Sequence, residues 1–231
     1  MREICLDIET TGLDPRDGHR IIEIAAIELV DRVKTGKFFH SYVNPRRDVP
    51  QEAFAIHGIS TEFLQDKPIF NHVAYKFLDF VRGGKLVIHN AAFDTKFINY
   101  ELAMLGIDKL DMVNVIDSLT IARNKFPGSP ASLDALCKRF GIDLSKRVKH
   151  GALLDTELLC DVYIELMGGA QGGLSFEVVK KEEKAAEIIE EVAQIQNKKI
   201  LPKRDFAVLE EDLKKHQEFI SKNFKTNLWG Y

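Results

Sequence analysis

The first part of the chain alternates between apolar runs and short polar breaks, which is typical of consecutive β-strands. Residues 4–9 are mostly apolar or β-branched, and a Thr-Thr-Gly break ends them, so they predict a first strand. Residues 20–31 predict a long buried strand and residues 37–43 a third, and Gly36 between them suits a hairpin connection. A meander of three strands therefore opens the chain.

Beyond residue 44 the apolar positions recur mostly at helical spacing. Two short apolar runs, residues 85–89 and 113–117, interrupt them and predict further strands, the first as a buried parallel neighbour. The predicted helical segments are residues 52–55, a short helix capped by Ser60, a segment from Pro68 to residue 82, a helix ending near residue 105, and residues 118–125, 132–140 and 151–167. A meander followed by alternating strands and helices predicts an α/β domain with a mixed five-stranded sheet flanked by helices.

A glycine cluster at residues 168–173 predicts the end of this domain. Residues 182–197 carry an apolar stripe at helical spacing, and residues 205–223 predict a second helix. Two amphipathic helices cannot bury their own stripes well, so we expect this tail to dock on another protein. The predicted organisation is a domain at residues 1–168, a glycine-rich linker at 169–176 and a helical tail at 177–231.

The composition is sufficient for a hydrophobic core, and the sequence argues against a membrane-spanning, secreted or disulfide-bonded protein. The 231 residues are 45% hydrophobic and include 15 Phe, yet the sequence contains no apolar run of the roughly 18 residues that a membrane span needs. The N-terminus lacks the basic-then-apolar pattern of a secretion signal. Cys5, Cys137 and Cys160 lie in apolar contexts without paired spacing. We therefore expect buried reduced thiols in a cytoplasmic protein that does not contact a membrane.

The formal net charge of −3 is unevenly distributed along the chain. Residues 177–231 carry equal numbers of acidic and basic residues, so the acidic excess lies in residues 1–176. Without a basic stripe and interleaved aromatic residues, the chain is expected to bind only a few nucleotides of any nucleic acid. An acidic domain suits a metal-dependent enzyme, because bound cations neutralise part of its charge.

Asp7 and Glu9 share one face of the first predicted strand, because alternate side chains of a strand point the same way. Neighbouring carboxylates raise each other's pKa unless a cation lies between them. The pair alone is compatible with a solvated strand edge. By itself it favours that edge, although half of a divalent-metal site is the alternative, since Mg²⁺ and Mn²⁺ prefer carboxylate oxygen.

Three later residues are further candidates for a functional site because of their places in the predicted elements. Asp94 follows a predicted strand, where α/β sheets place functional groups, although it also suits a helix N-cap. Asp155 lies within an apolar helix face and requires a partner there. On a continuous helix His150 would be rotated about 140° from Asp155. The two can face one site only if His150 lies before the start of the helix.

Three segments resemble the exonuclease motifs of the DEDD superfamily, in its histidine-containing branch. They are DIETTG at residues 7–12, HNAAFD at 89–94 and HGALLDTELL at 150–159. EAFAIHGIS at residues 52–60 and SLDALCKRFGID at 132–143 resemble, more specifically, the epsilon proofreading subunits of bacterial DNA polymerase III. The resemblance covers about residues 1–168. It implies a ribonuclease-H-like fold and 3′→5′ exonuclease activity with two divalent metal ions, Mg²⁺ or Mn²⁺.

The resemblance also implies roles for individual residues. His150 would be the general base. The implied metal ligands are Asp7, Glu9, Asp94 and Asp155. The residues implied to contact the terminal nucleotide are Asp7, Glu9, Glu52, His57 and Asp155. His57 is also compatible with a hydrogen-bonding role in its loop, and Phe93 with a place in the core.

The tail and the linker are similar to segments that bind partners. Gln171, Leu174 and Phe176 resemble the short peptide by which polymerase subunits dock on the sliding clamp, the alternative being a linker with incidental apolar residues. By position, residues 177–231 resemble the segment that binds the catalytic alpha subunit of the polymerase. The family further implies a DNA 3′ end as substrate, and the sequence leaves open a small accessory subunit on the nuclease domain.

Three functions compete on this pattern. The first is a proofreading exonuclease within a replicative DNA polymerase, and the second is a free-standing exonuclease that trims RNA or short oligonucleotides. The third is a non-catalytic scaffold between clamp and polymerase. The intact acids and His150 argue against a scaffold, and the tail argues against a free enzyme. We therefore expect the proofreading function.

Overall fold

The computed structural model describes residues 1–145, 147, 149–169 and 209–223. The chain divides into two compact units, residues 1–175 and 176–231. In the second unit the described residues form a helix, Glu210–Asn223, which confirms that part of the predicted tail helix. The predicted helix at 182–197 lies outside the described residues. So do Gln171, Leu174 and Phe176.

A mixed sheet forms the centre of the first unit. Its strands are β1 (Arg2–Thr10), β2 (Ile21–Val30), β3 (Val33–Tyr42), β4 (Lys85–Ile88) and β5 (Val115–Asp117), in the order β3-β2-β1-β4-β5. The first three strands pair antiparallel, whereas β4 pairs parallel with both β1 and β5. The predicted mixed five-stranded sheet is thus confirmed, and β1 is its central strand.

The β2–β3 hairpin turns at a different place from the one predicted. Its loop residues are Asp31 and Arg32, with φ of 50° and 65°, between the paired residues Val30 and Val33. Left-handed φ at both positions is the geometry of a two-residue loop that matches the twist of the strands. Gly36, predicted as the connection, lies within β3 with φ of 82°, beside an irregularity in the pairing. A β-bulge of the glycine type uses positive φ, as some turns do, so glycine at this position is compatible with either.

Helices cover both faces of the sheet. In the first unit they are α1 (Gln51–His57), α2 (Thr61–Leu64), α3 (Phe70–Val81), α4 (Ala91–Met104), α5 (Ser118–Lys125), α6 (Leu133–Phe140) and α7 (Ala152–Leu166). Ser60 caps α2, as predicted, by accepting a hydrogen bond from a backbone N–H group of the first turn, and Asp117 and Ser132 cap α5 and α6 in the same way. None of the helices in the described ranges is long and apolar enough to cross a lipid bilayer.

Alternation along β1 divides the core between the two faces of the sheet. The side chains at positions 4, 6 and 8 pack with apolar residues of α3 and α4. The opposite face packs against α7, where Cys5 and Cys160 belong to one buried cluster. All three cysteines are buried and free, as predicted. The residues of β1 that share the α7 face with Cys5 are Glu3, Asp7 and Glu9.

Helix α7 runs antiparallel to β1 along this face. Tyr163, near the end of α7, donates a hydrogen bond from Oη to Glu3 Oε1 at 2.7 Å. Ala152, at the start of α7, donates from its N–H to Glu23 Oε2 at 3.0 Å, and Glu23 is paired with Glu9. The first turn of α7 therefore lies at the carboxyl end of β1.

Candidate active site

The carboxyl end of β1 carries Asp7 and Glu9, both half-buried. Burial, followed by repulsion from Asp94 and Glu9, raises the pKa of Asp7 well above its usual value. Burial, followed by repulsion from Asp155 and Glu23, raises the pKa of Glu9 to about 8. Solvated carboxylates would keep ordinary pKa values. The pair is therefore part of a crowded acidic site and not a solvated strand edge.

Asp94 reaches this site from the first turn of α4 and is 3% exposed. Burial raises its pKa to about 8, although two backbone hydrogen bonds oppose the shift. The residue that caps α4 is Asn90, in a left-handed conformation with φ of 69°, and its N–H donates to Asp117 Oδ1 at 3.1 Å. Asp94 is thus not the helix cap. Its carboxylate lies close enough to Asp7 to raise the pKa of that residue.

His150 and Asp155 meet at the start of α7. The helix begins at Ala152 with Gly151 as its N-cap, so His150 lies before it, as the predicted geometry required. His150 Nδ1 is 3.2 Å from Asp155 Oδ2. The His150 ring is half exposed, whereas Asp155 is 3% exposed. The backbone N–H of His150 donates to the carbonyl oxygen of Ile56 at 3.2 Å, which ties this segment to α1.

These residues form a donor set that fits divalent cations. Glu9, His150 and Asp155 offer ligand atoms within 4.8 Å of one another, and Asp7 and Asp94 add carboxylates beside them. Hard cations prefer carboxylate oxygen. Buried acids that repel each other need positive charge to stay ionised together. The site can therefore hold metal ions.

Glu23 is a further buried acid that the motifs did not identify. It lies opposite Glu9 on β2, and its Oε2 accepts the hydrogen bond from Ala152 N that caps α7. Its Oε1 is 2.7 Å from His40 Nε2. Glu23 thus fixes the helix that carries Asp155. A glutamate inside the apolar run of residues 21–27 was the signal that could have found it.

Arg147 is a cation of the site that the motifs also did not identify. Its Nε and Nη2 donate to Oδ1 and Oδ2 of Asp155 at 2.6 and 2.7 Å. Its Nη1 donates to Asp134 Oδ1 on α6 at 2.6 Å, and its Nη2 lies 2.9 Å from His150 Nδ1. The sequence showed only that residues 141–149 are basic. It could not show which group Arg147 contacts, because the direction of a loop side chain depends on the tertiary structure.

Two cavities adjoin the acids and together include every residue predicted to contact substrate. The larger, of about 530 Å³, is lined among others by Glu9, Glu52, His57 and Phe93. The smaller, of about 270 Å³, is lined among others by Asp7, Arg147, His150 and Asp155. Phe93 also packs against the core, the place that its sequence allowed.

His57 is a buried polar group in the wall of the larger cavity. Its Nδ1 accepts a hydrogen bond from Ile59 N at 3.0 Å, whereas its Nε2 is buried and has no hydrogen-bond partner among the described residues. Burial lowers the pKa of His57, which favours the neutral ring. A neutral ring that accepts at Nδ1 carries its proton on Nε2. His57 can therefore offer a donor to a ligand, besides its loop hydrogen bond.

Known proteins resemble this chain over most of its length. Residues 4–163 match the family described as exonuclease. DNA polymerase III subunit epsilon of Rickettsia conorii is 52% identical over 231 residues, and the match covers 98% of this chain and 98% of the relative. The subunit of the same name from Escherichia coli K12 is 53% identical over 175 residues, or 73% of this chain and 72% of the relative.

Solved nucleases share the fold. Exonuclease X in complex with 5′ overhanging duplex DNA is 26% identical, with a TM-score of 0.57 over 71% of this chain and 90% of its own. The nuclease domain of 3′hExo, a DEDDh family member bound to rAMP, is 21% identical, with a TM-score of 0.63 over 72% of this chain and 91% of its own. The ribonuclease-H-like exonuclease fold that the motifs implied is confirmed.

Proposed function

The chain belongs to the exonuclease family and, within it, to the epsilon subunits of DNA polymerase III, and on this basis we propose that it is a proofreading enzyme. It would remove mispaired nucleotides from DNA 3′ ends by hydrolysis, as part of the replicative polymerase. One observation carries the proposal. Carboxylates from β1, α4 and α7 meet beside His150 at the carboxyl end of the central strand.

Hydrolysis of a phosphodiester needs a nucleophile at neutral pH and relief of the charge on the leaving oxygen. We propose that Asp7, Glu9, Asp94 and Asp155 hold two divalent ions, Mg²⁺ or Mn²⁺. Such ions, when bound, would lower the pKa of an attacking water and stabilise the leaving 3′ oxygen. Four carboxylates are well suited to this, because their combined charge balances that of two divalent cations.

His150 is the proposed general base. Its ring is half exposed and lies 3.2 Å from Asp155, so it borders the site without being enclosed by it. An imidazole changes protonation near physiological pH and can accept a proton from a water molecule there. Because His150 precedes α7, its ring can turn toward a water above the acids while Asp155 stays fixed in the helix.

The cavity of about 530 Å³ is the proposed site for the terminal nucleotide. Phe93 provides a flat apolar surface that suits a base. Nε2 of His57 provides a hydrogen-bond donor, and Glu52 lies exposed in the wall. Sites of this volume take one small ligand. Recognition of one terminal nucleotide at a time agrees with exonucleolytic cleavage.

Partner binding is proposed for the part of the chain beyond residue 168. Residues 177–231 would bind the alpha subunit, and Gln171, Leu174 and Phe176 the sliding clamp. The Rickettsia conorii relative, a polymerase subunit by name, matches 98% of this chain, whereas the Escherichia coli match leaves part of it uncovered. A polymerase subunit would act in the cytoplasm, where free buried thiols are expected.

A free-standing exonuclease that trims RNA or oligonucleotides is the second candidate. This chain shares the fold of 3′hExo, which was solved with rAMP. The fold alone therefore does not indicate whether the substrate contains ribose or deoxyribose. Relatives that are polymerase subunits by name favour the DNA substrate. A non-catalytic scaffold is disfavoured because the acids and His150 lie together in one site.

The experiment compares wild type, Asp7→Ala and the control Asp108→Ala, whose carboxylate is exposed on the loop after α4. The substrates are mispaired and paired primer–template DNA and single-stranded RNA, with Mg²⁺ or Mn²⁺. We expect Asp7→Ala to lose roughly a hundredfold or more in cleavage rate. The control should keep the wild-type rate, and mispaired DNA should be the preferred substrate.

Two results would count against the proposal. A folded Asp7→Ala protein that digests primer ends at the wild-type rate would remove Asp7 from the site. A wild-type preference for RNA over mispaired DNA would select the trimming enzyme instead.

A further inference from the structure

Every nitrogen of the Arg147 guanidinium is engaged with the catalytic site. Nε and Nη2 bind both carboxylate oxygens of Asp155, Nη1 binds Asp134, and Nη2 also lies 2.9 Å from His150 Nδ1. The side chain is 8% exposed. A guanidinium bound to both oxygens of a carboxylate is among the strong charge-assisted pairs in proteins. This arrangement goes beyond what anchoring of a loop requires.

The atoms that Arg147 binds are those that the proposed reaction needs. Asp155 contributes its oxygens to the cluster with Glu9 and His150, whose ligand atoms lie within 4.8 Å of one another. A bidentate guanidinium covers the edge of Asp155 from which a metal ion would be bound. A contact from Nη2 to Nδ1 also restrains the ring of His150. Arg147 and a metal ion would therefore compete for the same carboxylate oxygens of Asp155.

Asp134 gives Arg147 an alternative partner. It lies in the first turn of α6 with its side chain half exposed, so a guanidinium can pair with it more fully at little cost in desolvation. Arg147 belongs to a segment between α6 and α7 that has neither helix nor strand in its described residues. Its side chain can therefore move between the two acids without disturbing the sheet.

We propose that Arg147 is a built-in competitor of the metal ions, which pairs with Asp155 when metal is scarce and withdraws toward Asp134 when metal binds. The inference rests on the proposed function. In the paired state Arg147 neutralises part of the acidic cluster and restrains His150. In the withdrawn state Arg147 releases both the Asp155 carboxylate and the His150 ring. Metal binding at Asp155 and the freedom of His150 to act as a base are therefore coupled through Arg147.

The test is isothermal titration of the full chain with Mn²⁺, comparing wild type, Arg147→Gln, Asp134→Asn and Arg139→Gln. Competition predicts that Arg147→Gln binds Mn²⁺ roughly tenfold more tightly, because one strong charge-assisted pair no longer opposes the metal. Asp134→Asn should bind Mn²⁺ more weakly, because Arg147 is left to Asp155. Arg139→Gln removes an exposed positive charge from the same helix as Asp134 and should match the wild type.

Opposite signs for the two substitutions support competition, because loss of a merely structural contact would weaken metal binding in both variants. Weaker or unchanged Mn²⁺ affinity in Arg147→Gln would overturn the inference. So would an equal gain in Arg139→Gln, which would reveal a general charge effect. If Arg147→Gln does not fold, Arg147→Lys keeps the charge without the bidentate geometry and should still bind Mn²⁺ more tightly.

Failure of the proposed function gives a different result. A wild-type protein that neither binds Mn²⁺ nor cleaves DNA would refute that function and the competition with it. A wild-type protein that does both, while Arg147→Gln shows no gain in affinity, would refute the competition alone.

Discussion

Repulsion between acids sets the chemistry of the site. Asp7, Glu9 and Asp94 come from two elements, yet each has a pKa raised by burial. For Glu9 and Asp94 the pKa is about 8, so a proton or a cation must balance their charge near neutral pH. Burial and, for Asp7 and Glu9, repulsion from neighbouring acids therefore oppose ionisation, and cations can relieve this repulsion.

This repulsion predicts how stability depends on pH when metal is removed. In EDTA we expect the melting temperature to fall from pH 7 to pH 9. The folded pKa of Glu9 and Asp94, about 8, lies above the unfolded values, so the folded protein holds protons that the unfolded chain has released. Their stabilisation is fully present below the unfolded pKa and is lost as the pH rises through about 8. Calorimetry should detect a fall of roughly a few degrees.

The pH range and a variant make this measurement specific. Burial lowers the pKa of His57 and His89, so both are already neutral above pH 7. Glu9→Gln does not titrate and should show a smaller fall than the wild type. Saturating Mg²⁺ should raise the melting temperature most at pH 9. A melting temperature in EDTA that stays constant or increases over this range would contradict the predicted repulsion.

Local sequence specifies some residues of the site and not others. Asp7, Asp94 and His150 lie at the ends of elements within contiguous motifs, so spacing could predict their places in those elements, and the resemblance of the motifs implied that they share one site. Arg147 lies in a loop whose path depends on how α6 packs against α7. Glu23 acts through the register of β1 and β2. Neither relation is encoded in neighbouring residues, which is why the motifs missed both.

At the scale of elements, polar contacts at both ends and in the middle fix α7 against the sheet. Glu23 accepts from Ala152 N at its start, and Thr156 Oγ1 is 3.4 Å from the carbonyl oxygen of Ala25 in the middle. Tyr163 donates to Glu3 near the end of the helix. Buried polar contacts of this kind select one position of a helix among many that apolar packing alone would allow.

The Tyr163–Glu3 contact gives a prediction for this element. Glu3 is 1% exposed, its Oε2 has no hydrogen-bond partner among the described residues, and Oε1 accepts from Tyr163. Tyr163→Phe would remove the hydroxyl that donates to Glu3, and the buried Glu3 carboxyl group would lose this hydrogen bond. We expect a loss of about 1–3 kcal/mol in the free energy of unfolding, measured by urea denaturation.

Two further variants separate this contact from other effects of the substitution. Tyr75→Phe removes a hydroxyl from an exposed tyrosine of α3 and should change stability little. Adding Glu3→Leu to Tyr163→Phe should recover part of the loss, because the buried acid is then absent. If Tyr163→Phe is as stable as Tyr75→Phe, the contact does not hold α7 in place.

The boundaries of elements were predictable where a side chain caps them. Asp117 and Ser132 each accept a backbone N–H of the following helix, and this chemistry is visible in sequence. The β2–β3 hairpin was not predictable in the same way. Gly36 signals positive φ, and a bulge or a turn satisfies that signal equally. The turn itself uses Asp31 and Arg32, which the hydrophobic pattern assigned in part to the strand.

For the whole molecule, the hydrophobic pattern and the sequence motifs predict the same nuclease unit, because each predicted strand belongs to one sheet. Because β4 pairs with the edge of β1 that the meander leaves open, β1 lies between β2 and β4, and this central position brings acids from both halves of the unit together. The role of the remaining chain follows from different reasoning. Its apolar stripes imply a partner, and a partner's surface is not encoded in the sequence that binds it.

Deleting residues 177–231 tests how function divides between the two units. The proposed catalytic residues all belong to residues 1–175, which form a compact unit, so we expect the truncated protein to digest mispaired primer ends within about twofold of the wild-type rate. It should no longer co-elute with the polymerase alpha subunit in size-exclusion chromatography. Adding Asp7→Ala to the full chain is the reciprocal control, because it should abolish cleavage and preserve co-elution. If the truncated protein still co-elutes, the binding surface lies on the nuclease unit.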